Sequence, residues 1–146
     1  MQTWTRAAEG RLTLQRTLIR NEADIQVFFV RGGGNYGETR PHVDAATGLL
    51  DRADVAIAAD VPVEPLTKQI VAYLTALHEL GHALGLEHTA NFSDIMYLFR
   101  RPEDGPRYFS NYRALLHSPD DIGSPTATGL SPDDVAALRG LYDDRR

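Results

Sequence analysis

The stretch from His78 to His88 reads HELGHALGLEH, and it decides what kind of domain this chain can form. In an α-helix, residues four apart project from nearly the same side and lie about 6 Å apart along the axis. His78 and His82 can therefore direct their imidazole nitrogens at one point. Zinc binds such nitrogens at about 2.0–2.1 Å in a tetrahedral array, and a catalytic zinc leaves one position for water. The spacing predicts two ligands of such a site.

A third ligand requires the chain to turn, because the same helix cannot present it at a useful angle. Gly85 lies three residues after His82, where a helix can end in the left-handed conformation that glycine adopts at little cost. The reversal would bring His88 back toward the metal. We therefore predict His78, His82 and His88 as the zinc ligands and Gly85 as the residue that makes the turn.

Glu79 directly follows the first histidine, and one residue corresponds to about 100° of rotation around the helix axis. Its carboxylate is therefore expected beside the metal, where it can take a proton from a zinc-activated water and deliver it to a leaving amine. A pair of histidines around an acid also occurs by chance in buried helices. Here the spacing, the acid, the glycine and the third histidine occur together, which favours the metal site. Glu79 is the predicted catalytic base.

Length and composition indicate one domain spanning residues 1–146, with a net charge of −5 and 24% charged residues. The acidic balance argues against a nucleic-acid or anionic-membrane partner, since either would favour a basic face. Cysteine is absent, which excludes disulfides, thiolate ligands and a cysteine nucleophile. The polar start shows no apolar segment of the kind found in a signal peptide.

Strand patterns precede helical patterns along the chain, which predicts an α+β domain. The helical period begins at Leu66, and a second helix start is formed by Ser131, Pro132 and the two acids that follow. Residues 100–128 are rich in Pro, Gly, Ser and Asp and predict a long loop, with a short helix near 112–116. The predicted strands are Leu12–Leu18, Ala23–Val30, Thr39–Val43 and Ala53–Ala58.

The pattern H-E-x-x-H-x-x-G-x-x-H followed by a methionine resembles the metzincin signature. Met96 would be the Met-turn residue beneath the metal, and Tyr97 follows it. Among metzincins the chain most resembles the matrixins, the matrix-metalloproteinase-like group. Thr89 after the third histidine and the interval from His88 to Met96 both match that group.

The resemblance implies a zincin-like fold, in which a twisted mixed sheet packs on an active-site helix and a C-terminal helix. Ala23–Val30 is similar to a matrixin strand, Leu130–Tyr142 to the final helix, and Trp4 to a tryptophan near the end of the first helix. On this alignment the first strand and the front of the first helix are missing, so we expect an N-terminally truncated domain. The segment 98–128 is much longer than is usual in the family.

The resemblance also implies a monomeric, secreted, zinc-dependent endopeptidase that acts on peptides or proteins. An extended peptide would pair with an edge strand, for which residues 39–43 are the candidate. The residue after the cut would enter a pocket near Leu74, Tyr97 and Leu98, and we expect that residue to be apolar. One catalytic zinc is expected, whereas a second, structural zinc is not.

Calcium is a further candidate cofactor, although no EF-hand spacing occurs and solvated loop acids are the favoured interpretation. The candidate ligands share a position in the loops and strands that precede the histidine helix, and they are Asp44, Asp51, Asp54 and Asp60.

Two other functions remain open from the residues alone. One is a zinc-stabilised binding module without proteolysis, against which Glu79 argues because a structural site does not need that acid. The other is a zinc hydrolase that acts on a non-peptide amide.

Overall fold

The computed structural model describes residues 1–31 and 34–143 and confirms the predicted α+β class. Single 3₁₀ turns lie at Arg20–Glu22 and Pro119–Asp121. Within the described residues, no helix is long and apolar enough to cross a membrane. The helices and strands, in chain order, are α1 (Gln2–Ala7), β1 (Ile25–Val30), β2 (Gly37–Val43), β3 (Leu50–Ala58), α2 (Pro65–Ala83), α3 (Asp104–Arg113) and α4 (Pro132–Asp143).

The three strands form one mixed sheet in the order β1-β3-β2. β1 is parallel to β3, whereas β2 is antiparallel to β3, with Thr39 opposite Val55. The turn between β2 and β3 is closed by the Asp44 carboxylate, which accepts hydrogen bonds from the backbone N–H groups of Ala46 and Thr47. Because β3 lies between β1 and β2, β2 is an edge strand of the described sheet, as predicted for residues 39–43.

One face of β3 is packed against α2. Ala53, Val55 and Ile57 alternate along the strand, so they point to the same side, and at most 1% of each is exposed. Ala83 at the end of α2 completes this small cluster. The helix starts at Pro65, and its preceding Glu64 accepts hydrogen bonds from the first free N–H groups. This packing sets the position of α2 beneath β2 and β3.

The larger core lies on the other sides of α2. Ile70, Leu74 and Leu77 project from α2 into it, together with Leu138 of α4. Trp4 is fully buried there, and its indole N–H donates to the Leu77 carbonyl at 3.0 Å. α1 and α4 are thus held against α2, which places the predicted histidine helix at the centre of the domain.

The segment Leu12–Leu18 was predicted as a strand, and this prediction is wrong. Leu12 and Leu14 pack against the core, and the backbone N–H of Leu14 donates to the Thr5 hydroxyl at 3.3 Å. Side-chain contacts with α1 therefore hold the segment, and it does not pair with a strand of the described sheet.

The helix predicted near residues 112–116 also differs, because α3 is longer and begins earlier, at Asp104. The Asp104 carboxylate accepts hydrogen bonds from the backbone N–H groups of Arg100 and Arg101 at 2.8 and 3.1 Å. These bonds close the turn that leads into α3. The long segment 98–128 therefore contains an ordered helix, which contacts α2.

Candidate metal centre

Three imidazole nitrogens converge at the C-terminal end of α2. The Nε2 atom of His82 lies 3.1 Å from those of His78 and His88, and the remaining pair is 3.3 Å apart. Three ligands on one tetrahedral zinc, each at about 2.05 Å, would be roughly 3.3 Å apart. The triangle therefore has the dimensions of one face of a zinc coordination sphere.

The other ring nitrogens of the two helical histidines are held by backbone carbonyls. His78 Nδ1 lies 2.6 Å from the Ile95 oxygen, and His82 Nδ1 lies 2.8 Å from the Leu86 oxygen. Because a carbonyl only accepts, each Nδ1 carries the proton and each Nε2 carries a lone pair. Two lone pairs then face each other at 3.1 Å, an arrangement that is favourable only with a cation between them. The residues therefore fit zinc.

The surroundings of His78 and His88 favour the neutral imidazole, which is the form that binds metals. Burial lowers the pKa of His78, which the hydrogen bond to the Ile95 carbonyl partly opposes. Burial and the neighbouring His82 and His78 lower the pKa of His88 as well.

The turn after α2 has the geometry that the sequence predicted. Gly85 has φ of 93°, its N–H donates to the His82 carbonyl, and the N–H of Leu86 donates to the Gly81 carbonyl. This pair of bonds is a Schellman motif, which ends the helix and reverses the chain. The reversal carries His88 to the two helical histidines.

Met96 lies against the helix that carries the histidines. Its side chain is 1% exposed and its sulfur approaches Gly81, where a β-carbon would collide with it. The turn that carries Met96 is fixed by its carbonyl, which accepts from the N–H of Thr89, and by the N–H of Ile95, which donates to the Asp134 carboxylate at 2.8 Å. The contact with Gly81 was not anticipated from the sequence.

Glu79 is buried between α2 and β2, with 7% of its surface exposed. The Thr39 hydroxyl lies 2.6 Å from its Oε2 atom and 2.9 Å from its backbone carbonyl, so the hydroxyl proton can be donated to either. Burial raises the pKa of Glu79, and the hydrogen bond from Thr39 opposes this shift. A raised pKa moves the carboxylate toward the range in which a general base works near neutral pH.

A single cavity of about 630 Å³ contains Glu79 and the three histidines. Leu74, Tyr97 and Leu98, which we predicted as a substrate pocket, also line this cavity. Their burial differs, because Leu74 is 2% exposed and packed in the core, whereas Leu98 is 44% exposed.

Several lining residues were not predicted to have a role in the site. Thr39 was predicted only as part of an edge strand, and no local pattern links it to Glu79, which lies 40 residues away. Tyr108 and Phe109 lie in the segment predicted as a long loop, where a substrate wall and a satellite core were both possible roles, and they line the cavity as well as pack against the core. Nothing in the sequence indicated a role for Tyr36, because it lies outside every motif.

The candidate calcium ligands do not form a comparable cluster. In the part of the chain that the structure describes, the three histidines are the group of metal-binding side chains that could hold an ion. Asp54 instead pairs with His42 Nε2 at 2.9 Å, and Asp44 closes the β2–β3 turn. Calcium binding therefore has no support from these contacts.

The chain is similar in sequence to several known proteins. A profile of the matrixin family matches residues 1–109. Human matrix metalloproteinase-15 (Homo sapiens) is 34% identical over 126 residues, which cover 72% of this chain and 18% of that protein. Rat macrophage metalloelastase (Rattus norvegicus) is 32% identical over 136 residues, covering 87% of this chain and 24% of that protein. The interstitial collagenase of Aquarana catesbeiana is 31% identical over 139 residues, which cover 89% of this chain and 30% of that protein.

These matches extend over most of the chain but over less than a third of each relative. No solved structure matches significantly. The family profile covers the histidine helix, the turn at Gly85 and the Met96 segment together. On the evidence of that profile and of these relatives, the chain belongs to the matrixin family of metallopeptidases.

Proposed function

We propose that this chain is a zinc-dependent endopeptidase that cleaves peptide bonds with Glu79 as general base. The observation that carries the proposal is the triangle of Nε2 atoms 3.1–3.3 Å apart, with a buried carboxylate in the same cavity. His78, His82 and His88 would hold the zinc. When bound, zinc would supply a Lewis acid that polarises the scissile carbonyl and acidifies a water molecule.

The residues of the chain would perform the remaining tasks. Glu79 would accept a proton from the attacking water and pass it to the nitrogen of the leaving amine. Thr39 would hold one carboxylate oxygen, which leaves the other free for this transfer. Met96 would support the histidines from below through its contact with the helix.

The substrate would be an extended peptide that pairs with the free edge of β2. The residue after the cut would enter the pocket lined by Leu74, Tyr97 and Leu98, where we expect an apolar side chain. By analogy with its relatives, we expect the protein to be secreted and to act on peptides or proteins outside the cell.

A fluorogenic peptide library tests this proposal. We expect zinc-loaded protein to cleave peptides, a chelator to abolish cleavage, and Glu79→Ala to lower kcat by about 100- to 10,000-fold. Glu87→Ala is the matched control, because Glu87 belongs to the same motif but is exposed. Its activity should stay near that of the wild type.

Three other outcomes would contradict the proposal. Cleavage that survives Glu79→Ala would exclude Glu79 as the base. Stoichiometric zinc without cleavage of any peptide would instead favour a binding module. Zinc-dependent hydrolysis confined to non-peptide amides would favour the remaining alternative.

A further inference from the structure

Two positions of β2 contact the same acid on α2. Because side-chain positions alternate along a strand, Gly37 and Thr39 face the same side of the sheet. Thr39 binds the Glu79 carboxylate through its hydroxyl. Gly37 lies against the middle of the same side chain, at the Cγ atom of Glu79. β2 therefore approaches the proposed base at two points, and one of these points has no side chain.

Gly37 occupies a position where a larger residue does not fit. A β-carbon there would lie 2.6 Å from the Cγ2 atom of Thr75 and 2.8 Å from the Cγ atom of Glu79. Carbon atoms that are not bonded normally lie about 3.5–4.0 Å apart, so both distances are too short by roughly 1 Å. The backbone at Gly37 does not have a positive φ. The close contact with α2, rather than the backbone conformation, therefore requires glycine here.

The other neighbours of Gly37 leave an added methyl group little room. Thr75 is buried, and the branching at its β-carbon restricts its side chain to few conformations. The backbone oxygen of Ala56 in β3 would lie 3.0 Å from the same β-carbon. The Glu79 side chain has more rotatable bonds than either neighbour, so a methyl group at this position would displace it.

The residue before Gly37 anchors the start of β2. The Tyr36 carbonyl accepts a hydrogen bond from the Ala58 N–H at 2.8 Å. The Tyr36 ring makes an edge-to-face contact with Phe109 of α3, at a centroid distance of 5.0 Å. Gly105 of α3 lets the ring approach, because a β-carbon there would lie 3.0 Å from the tyrosine hydroxyl oxygen. The start of β2 is therefore held between β3 and α3, which opposes its movement away from α2.

The position of the carboxylate matters for the proposed reaction, in which Glu79 accepts a proton from the attacking water. A misplacement of about 1 Å in an active site can cost roughly 100-fold in rate. The hydrogen bond from Thr39 fixes one end of the Glu79 side chain, and the contact with Gly37 limits the position of its middle. Both contacts come from one strand.

We propose that Gly37 is a positioning residue for Glu79. By leaving room for the Cγ atom, Gly37 lets the carboxylate remain bonded to Thr39 and directed into the cavity. This proposal rests on the proposed peptidase function and adds no step to the reaction. Gly37 also lines the cavity, but a β-carbon there points toward α2, so the backbone groups that a peptide would meet are unchanged by substitution. Substitution should therefore affect turnover rather than peptide binding.

Gly37→Ala tests the proposal in the zinc-loaded protein. We expect kcat to fall about 10- to 100-fold with little change in KM, because a displaced base weakens an interaction made in the transition state. Zinc content is measured alongside, since His78 is adjacent to Glu79. Gly140→Ala is the matched control, because a β-carbon at Gly140 meets no atom within 4 Å and kcat should not change. An unchanged kcat in Gly37→Ala, or a fall explained by lost zinc, would overturn the proposal.

A second variant separates the positioning of Glu79 from packing against Thr75. Thr75→Ser removes the methyl group that the added β-carbon would meet first, but it leaves the contact with Glu79. When Gly37→Ala is combined with Thr75→Ser, we expect part of the lost Tm to return, while kcat stays low relative to Thr75→Ser alone. The combination also carries the kinetic test if Gly37→Ala alone does not fold. Recovery of both Tm and kcat would show that Gly37 matters only for packing, and would overturn the proposal.

Thermal unfolding at saturating zinc gives a readout that does not depend on turnover. Overpacking a well-packed site costs stability, so Gly37→Ala should lower Tm by about 2–10 °C. The loss should be smaller when Glu79→Ala is already present, because that change removes the Cγ atom and residues in contact are energetically coupled. Equal losses in both backgrounds would overturn the proposal and leave the peptidase function standing. A wild-type protein that cleaves no peptide refutes the peptidase function, and this proposal falls with it.

Discussion

The hydroxyl of Thr39 lies 2.6 Å from the carboxylate of Glu79, across the contact between an edge strand and the central helix. The bond joins the strand on which a peptide would lie to the residue that would act as base. Because the hydroxyl binds one oxygen of the Glu79 carboxylate, the other oxygen remains available in the cavity. Strand β2 and Glu79 are therefore parts of one packed unit.

Replacing this hydroxyl should slow the chemical step without weakening peptide binding. A hydrogen bond to a charged group contributes about 1.5–3 kcal/mol, so we expect Thr39→Val to lower kcat roughly 10- to 100-fold. KM should change less than twofold, and Thr39→Ser should restore kcat because it keeps the donor. Steady-state kinetics with the variants, checked for equal zinc content, would measure this. An unchanged kcat in Thr39→Val would show that Glu79 does not depend on the bond.

Zinc should stabilise the fold through the three histidines. A ligand present at about 100 times its Kd adds roughly 2.7 kcal/mol to the free energy of unfolding. For a domain of this size that corresponds to an increase in Tm of about 5–10 °C. His88→Ala should lose most of the increase, whereas His117→Ala, at an exposed position, should keep it. Thermal unfolding with zinc and with a chelator would measure the effect, and an equal response of both variants would contradict it.

The buried carboxylate of Asp134 should contribute strongly to stability. It accepts hydrogen bonds at 2.8 Å from the backbone N–H groups of Ile95 and Ser131, which connects α4 to the turn that carries Met96. Asp134→Ala leaves buried donors unpaired and should cost about 3 kcal/mol. The exposed neighbour gives the control, since Asp133→Ala should cost less than about 1 kcal/mol. Urea unfolding would measure the free energy of unfolding of both variants. Similar losses would show that the Asp134 carboxylate contributes no more to stability than the exposed Asp133 carboxylate.

The stabilisation from Glu64 should disappear in acid. Hydrogen bonds from the Thr67 hydroxyl and from the backbone N–H groups of Thr67 and Leu66, together with Arg113, lower the pKa of the Glu64 carboxyl from 4.5 to about 2. Because the pKa is lower in the folded state, this contribution is present above pH 4.5 and is lost as the pH falls toward 2.

Glu64→Gln should therefore lower Tm at pH 7, and its difference from the wild type should shrink as the pH approaches 2. Glu22→Gln, at an exposed position, should lower Tm little at either pH. A difference between Glu64→Gln and the wild type that stays constant from pH 7 to pH 2 would contradict the assignment.

Local spacing accounts for the parts of the site that sequence reasoning predicted. His78, His82 and Gly85 belong to one helix and its end, where positions follow from 3.6 residues per turn and from the backbone freedom of glycine. Strand β1 was also predictable, because Ile25–Val30 is rich in β-branched and aromatic residues. The partial alternation of apolar residues at Leu12–Leu18 was misleading, since a period of two does not say whether a neighbouring strand is present.

The sequence by itself thus determined the spacing of the three histidines and of the acid beside the first, and it indicated the family of the chain, because these features depend on residues within one helix, its turn and the Met96 segment. Only the tertiary structure brought Thr39 to Glu79 and Tyr36 to Phe109, because these pairs are 40 and 73 residues apart. Such contacts arise when strands and helices pack, and packing depends on the shape and burial of the whole core. Tertiary packing therefore decides which strand residues reach Glu79 and Phe109, whereas local spacing decides how the three histidines are arranged.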